Sequence, residues 1–240
     1  MAAVTIRLAS YNIHKCVGTD RRRDPQRILD VLAEINADIV ALQEADLRFG
    51  ERDGLLDLQQ LHDRLGLVPV PVAGAVKNHG WHGNVLLVRE AVVHGQHQLV
   101  LPGVEPRGAL VVDAELRNLP LRIIATHFGL LKRSRAQQVE AVLHAAQDAG
   151  ERTVLLMGDL NEWRIGRRSG LSGLTPIFGN ADFFVPSYPS RYPLLALDRI
   201  LCSPRHMLKN ITVHSTPLSR KASDHLPIMA ELATAAATTR

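Results

Sequence analysis

The stretch TVLLMGDLN, residues 153–161, limits the fold more than any other part of this 240-residue chain. An apolar run this short, stopped by Gly158, suits a strand covered on both faces. It ends on Asp159 and Asn161, two positions apart. Gly, Asp and Asn are the residues of turns. They are also the residues of a site set at a strand end, where a rigid scaffold meets an open loop. Asp-Leu-Asn alone leaves both readings standing.

Other segments share the design. Val4, Ile6 and Leu8 alternate with smaller or polar residues, a period of two that predicts a strand ending near Asn12. Asp24-Pro25 supplies a cap and first-turn proline for a helix with Ile28, Leu32 and Ile35 on its apolar face. DIVALQE (38–44) predicts a strand with Glu44 at its end, and Leu58, Leu61 and Leu65 a helix closed by Gly66. Apolar runs at 67–76, 83–88, 109–116 and 120–126 read as strands joined by turns. Ser134 with Gln137 predicts a capping box for a helix carrying Val139, Val142, Leu143 and Ala146 and ended by Gly150. TVLLMGD, LALDRIL and LPIMAEL supply the last strands, and the tail ATAAATTR is expected to fray. No repeat, linker or domain boundary interrupts the series. Helices covering sheets in one α/β or α+β sandwich, over residues 1–234, is the architecture expected.

Bulk properties restrict partners only mildly. The net charge of +4 and pI near 9.4 permit an anionic partner. The one concentrated basic run, Arg21-Arg22-Arg23, reads as a solvated face or a phosphate contact. Cys16 and Cys202 form neither a disulfide framework nor a zinc motif. The first residues lack a charged head followed by an apolar core, and no apolar run reaches the ~20 residues that span a bilayer. A cytoplasmic location is expected.

Asn12, Glu44, Asn84, His127, Asp159 with Asn161, Asp198, and Asp224 with His225 all lie in or beside apolar segments. Each alone could be a hydrogen-bonded structural group. Together, a sheet whose strands share one end would gather them into one cluster. Carboxylate and amide oxygens without cysteine ligands suit a hard cation such as Mg²⁺ or Mn²⁺. Histidine paired with aspartate suits a group that holds or moves a proton near neutrality. The combination describes metal-assisted attack of water on a phosphate ester.

SYNIH (10–14), ALQEAD (41–46), GNVLLV (83–88), ATHFG (125–129), MGDLN (157–161), LDRIL (197–201) and SDHLP (223–227) occur in the order that resembles the endonuclease/exonuclease/phosphatase superfamily, over nearly the whole chain. The resemblance implies a four-layer αββα sandwich and a Mg²⁺- or Mn²⁺-dependent phosphodiesterase. It implies that Glu44 is the principal metal ligand, with Asn12 near the same ion and Asp224 assisting. Asp159 would orient or deprotonate the attacking water, Asn161 would hold phosphate or water, and His225 would contact the scissile phosphate, oriented by Asp198. His127 would be an acid or phosphate donor. Asn84 stands where some relatives place an acidic partner for that histidine.

Arg107 in VEPRGAL and Arg191 in PSRYP are expected phosphate contacts. KNHGWHG (77–83) reads as a recognition tip or a plain loop. His94, His97, His144, His206 and His214 are expected to be structural. The substrate classes left open are nucleic acid, nucleotide and phospholipid. Against the last, no exposed apolar or amphipathic membrane element stands out in the sequence. A phosphomonoesterase and a catalytically silent binding module are the alternatives on the same fold.

Overall fold

The computed structural model describes residues 5–47, 53–74, 77, 79–179 and 185–233. One sheet contains β1 (Thr5–Asn12), β2 (Ile39–Gln43), β3 (Val68–Pro69), β4 (Val85–Val88), β10 (Leu208–Val213) and β11 (Ile228–Ala233), in the order β10-β11-β1-β2-β4-β3. The other contains β5 (Val92–Leu101), β6 (Arg107–Leu116), β7 (Leu119–His127), β8 (Thr153–Asp159) and β9 (Asp198–Ser203), in sequence order. Each sheet has one parallel pair among antiparallel neighbours, β1 with β2 and β7 with β8.

Side-chain alternation builds the layers. In β1, Ile6 and Leu8 face the second sheet, whereas Ala9 and Tyr11 face outward. In β8, Leu155 and Met157 point inward, and Val154 and Leu156 outward. Both faces of both sheets are thus apolar and need a cover. The outer face of the first sheet is covered by α1 (Pro25–Ile35) and α2 (Leu58–Leu65), and that of the second by α3 (Lys132–Gln147) and α4 (Thr175–Phe178). A one-turn helix, α5 (Ser219–Ala222), precedes β11. The result is the four-layer αββα sandwich. Among the described residues no helix is long and apolar enough to cross a membrane.

Local signals set most boundaries. Asp24 caps α1 by accepting from the Arg27 amide at 3.3 Å, and Asp57 caps α2 by accepting from that of Gln60 at 3.0 Å. Gly66 ends α2 in the left-handed conformation, φ 65°.

Three expectations need correction. The Ser134–Gln137 capping box does not form: α3 begins at Lys132, and Ser134 is buried within its first turn. The helix stops at Gln147 rather than at Gly150. Among the described residues of the run 67–76, strand is limited to Val68–Pro69, with the Val70 amide still donating to the Leu86 carbonyl at 2.8 Å, because Pro69 and Pro71 in VPVPV cannot donate to a ladder. The expected frayed tail at 235–240 lies outside the described residues.

Candidate active site

The two parallel pairs end side by side, and their ends carry the polar residues. Asn12 is in register with Gln43, which Glu44 follows, and His127 is in register with Asp159. Asn12 Nδ2 donates to Asp159 Oδ2 at 3.0 Å, a buried bond joining the two sheets. Such a charge-assisted bond contributes about 1.5–3 kcal/mol. Close packing of the strands below it depends on Gly158, where a Cβ would lie 1.8 Å from the Thr126 carbonyl oxygen.

Asp159 Oδ2 is the focus. His127 Nε2 lies 3.4 Å from it and His225 Nε2 3.7 Å. The other carboxylate oxygen accepts from the Asn161 amide at 2.9 Å. Asn161 itself is left-handed, φ 49°, and donates through Nδ2 to the Phe128 carbonyl at 2.9 Å, which ties the loops after β7 and β8 together.

The two histidines are in opposite states. His225 Nδ1 donates to Asp198 Oδ2 at 2.9 Å, and the same oxygen accepts from Ser187 Oγ at 2.5 Å. Burial would lower the His225 pKa, but the charges of Asp198 and Asp159 overcome it and raise the value to about 10. His225 is therefore an imidazolium at neutral pH. The Tyr188 ring rests on it, centroids 4.8 Å apart. In contrast, burial holds His127 down at about 4, helped by the Arg107 charge and opposed by that of Asp159. Arg107 Nη1 donates to His127 Nδ1 at 3.1 Å, which fixes the remaining proton on Nε2, facing Asp159.

Glu44 sits just beyond β2 in a left-handed conformation, φ 52°. It lines a small cleft with Lys15, Asp46, His82, Arg107 and His127. Burial would raise its pKa, but His127 and the Lys15 ammonium, which donates to Oε2, hold it at about 2. Lys15 reaches it from a turn in which His14, Lys15 and Cys16 all have positive φ. An ionised carboxylate that already attracts one cation, beside the amide of Asn12 at the neighbouring strand end, is an oxygen donor set that fits a hard divalent ion. Asp159, Asp198 and His225 also offer ligand atoms within 4.8 Å of one another.

Asp224 lies on the rim, half exposed, with His14 Nδ1 at 3.6 Å. Asn84 and Arg191 do not join the cluster. Asn84 is fully buried and donates to the carbonyls of Trp81 and Gly108 at 3.1 and 3.0 Å, clasping the 81–84 turn to β6. Arg191 is exposed and donates to the Thr19 carbonyl at 3.2 Å. Trp81 of the KNHGWHG segment packs over Gly108, with its indole N–H donating to Leu99 at 3.4 Å, so it is part of the wall and not a tip.

Sequence reasoning assigned no role to Lys15, Ser187, Ser223 or Tyr188. Lys15 and Ser223 lie inside or beside the motifs SYNIH and SDHLP, and Ser223 Oγ donates to the Asn12 carbonyl at 2.7 Å. Ser187 and Tyr188 carry no signal in the sequence. Cys16 and Cys202 are buried free thiols, each pushed up to about 12 by burial.

Solved structures share this architecture. An endonuclease/exonuclease/phosphatase from Beutenbergia cavernae superposes with a TM-score of 0.72 at 22% identity, over 97% of this chain and 72% of that one. A family protein from Bacteroides thetaiotaomicron gives 0.74 at 17% identity, over 98% and 100%. A mannosyl-6-phosphatase from the same species gives 0.67 at 16% identity, over 95% and 100%. No curated protein matches the chain. The model of the Endonuclease/Exonuclease/phosphatase family matches residues 9–225, and the chain belongs to that family of phosphate-ester hydrolases.

Proposed function

We propose that the protein is a divalent-metal-dependent phosphodiesterase in which water attacks phosphorus at the junction of the two sheets. The observation that carries this reading is the pairing of an acceptor with a donor. The Asp159 carboxylate faces the His225 imidazolium Nε2 at 3.7 Å, too far for a direct hydrogen bond and close enough for both to reach one phosphoryl group.

Each residue has a task in that arrangement. Asp159, held by Asn12 and by the Asn161 amide, takes the proton of the attacking water. Asn161 spends its Nδ2 on Phe128, which leaves its amide oxygen to accept from that water. His225, charged and oriented by Asp198, donates from Nε2 to a phosphoryl oxygen or to the departing oxygen. His127 is kept neutral by burial and Arg107, so it acts as a hydrogen-bond donor through Nε2 and not as the acid. Arg107 thereby supports His127 instead of meeting phosphate on its own. Glu44 and Asn12 would hold Mg²⁺ or Mn²⁺, with Asp224 at the rim. The ion supplies charge neutralisation at the phosphoryl oxygens.

The test is hydrolysis of bis-(p-nitrophenyl) phosphate and p-nitrophenyl phosphate with Mg²⁺, Mn²⁺ or EDTA, using wild type and Glu44→Gln. The expected outcome is cleavage of the diester that EDTA abolishes, with Glu44→Gln needing far more metal and losing on the order of 10²-fold in rate. Cleavage of the monoester alone would replace the reading with a phosphatase. Diester cleavage indifferent to EDTA would remove the metal from it.

A further inference from the structure

Large apolar side chains that face solvent are concentrated around the Asp159–His225 site. Val104 is 80% exposed, Leu130 64%, Ile165 57% and Trp163 47%. They sit on three loops stapled to one another: Glu105 Oε2 accepts from the Leu130 amide at 2.8 Å, and Arg135 bridges the Leu130 carbonyl to Glu162 Oε2, the latter at 3.0 Å. Asn161, in the loop with Trp163, bonds the loop after β7, so this patch begins beside the catalytic carboxylate. Across the site, Tyr192 and Leu194 are 77% and 69% exposed on the loop whose Ser190 amide donates to the Asp224 carbonyl at 2.7 Å.

The exposed charges in the same loops are positive, and Glu105, beside Val104, is half-buried and bound to the Leu130 amide with Arg107 at 3.7 Å. Lys132, Arg133, Arg164 and Arg168 are exposed beside the apolar side chains, with Arg191 across the site. Within 129–133, 160–168 and 189–194 the one acid is Glu162, fully buried and paired with Arg135. Exposed apolar patches of this kind mark interaction sites. Aliphatic side chains mixed with Trp, Tyr and cations match the boundary of an anionic bilayer, where apolar tips enter the acyl region and cations meet headgroups. A single nucleic-acid strand fits less well, because leucine and isoleucine offer bases no π-face to stack on.

We infer that this rim docks on an anionic phospholipid surface and presents the phosphodiester of a lipid headgroup to the site. The inference rests on the phosphodiesterase reading above for its chemistry, but not for the docking. In the reaction, water forms a new P–O bond as the P–O bond to one ester alcohol breaks. The water's proton goes to Asp159 and a proton from His225 to the departing alkoxide, giving a phosphomonoester and an alcohol. No such element stands out in the sequence, because on this inference it is assembled from loops far apart in the chain.

The experiment compares wild type with the triple variant Leu130→Ser, Trp163→Ser, Ile165→Ser, and with Arg133→Gln, Arg168→Gln. Each is sedimented with phosphatidylcholine vesicles with and without phosphatidylglycerol, then assayed on those vesicles and on soluble bis-(p-nitrophenyl) phosphate. Wild type should bind only the anionic vesicles and cleave their lipid. The triple variant should lose about tenfold or more in binding, and the double charge variant about fivefold per cation. Both should keep the soluble activity, which also shows that they fold. Soluble cleavage by wild type without vesicle binding, or with binding of a single-stranded oligonucleotide in its place, overturns the docking inference alone. Vesicle binding without cleavage of any diester overturns the phosphodiesterase reading and leaves the docking intact.

Discussion

At the residue scale, the site depends on two imidazoles in different protonation states, His127 lowered by burial with help from Arg107 and His225 raised against burial by Asp198 and Asp159. His225 has Asp198 behind it and His127 has Arg107, so the pair holds one positive charge and not two next to Asp159. Exchanging one partner should move one titration. Asp198→Asn removes the charge that raises the His225 pKa, so the alkaline limb of the pH–rate profile, near 10 in wild type, should move towards neutrality. A rate loss of roughly 10²-fold should accompany it. An alkaline limb left in place would mean that another group carries that proton. Arg107→Gln acts on the other side: His127 should become easier to protonate, so the acidic limb should move up in pH.

At the element scale, the ends of the strands were far more legible than their number. Asn12, Glu44, His127, Asp159, Asp198 and His225 declare themselves because each is a polar group at the end or the start of an apolar run. Strands β5 and β10 are edge strands with one neighbour each, largely solvent-facing, and each carries a register shift. A bulge breaks the period-two pattern by which a strand is read, and exposure removes its apolar residues. Arg135 and Glu162 are a buried ion pair that looks like ordinary helix and loop charge in the sequence, and only the fold joins them. The placement of Asn84 and Arg191 was illegible for a related reason: motif order says which strand a residue is near, not which way its side chain points. The element carrying most of the site is β8, and its tightest point is Gly158. Gly158→Ala sets a methyl against the Thr126 backbone, so denaturant unfolding should show a loss of roughly 3 kcal/mol or more. A loss below about 1 kcal/mol would mean that β7 and β8 can separate at little cost.

At the scale of the whole molecule, two sheets meet over one apolar core, and the site's titrating groups gather at the end where their parallel pairs finish, while another buried carboxylate, Asp38, is paired with Arg89 and Arg117 just before β2 begins. Global stability should therefore report the site's titrations. His225 has a raised folded pKa, so its contribution is complete below about 6.5 and is lost as pH rises towards about 10. His127 has a lowered one, so it opposes folding increasingly as pH falls from about 6.5 towards about 4. Thermal unfolding across pH should show the acid loss shrink in His127→Gln; an unchanged acid slope would assign it elsewhere. The central claim is that the Asp159–His225 pair hydrolyses a phosphodiester, and it is tested most directly by turnover of bis-(p-nitrophenyl) phosphate at neutral pH with saturating Mg²⁺, wild type against His225→Gln. The account predicts a loss of about 10³-fold or more in a variant that still folds and binds metal. Equal turnover in the two proteins would contradict it.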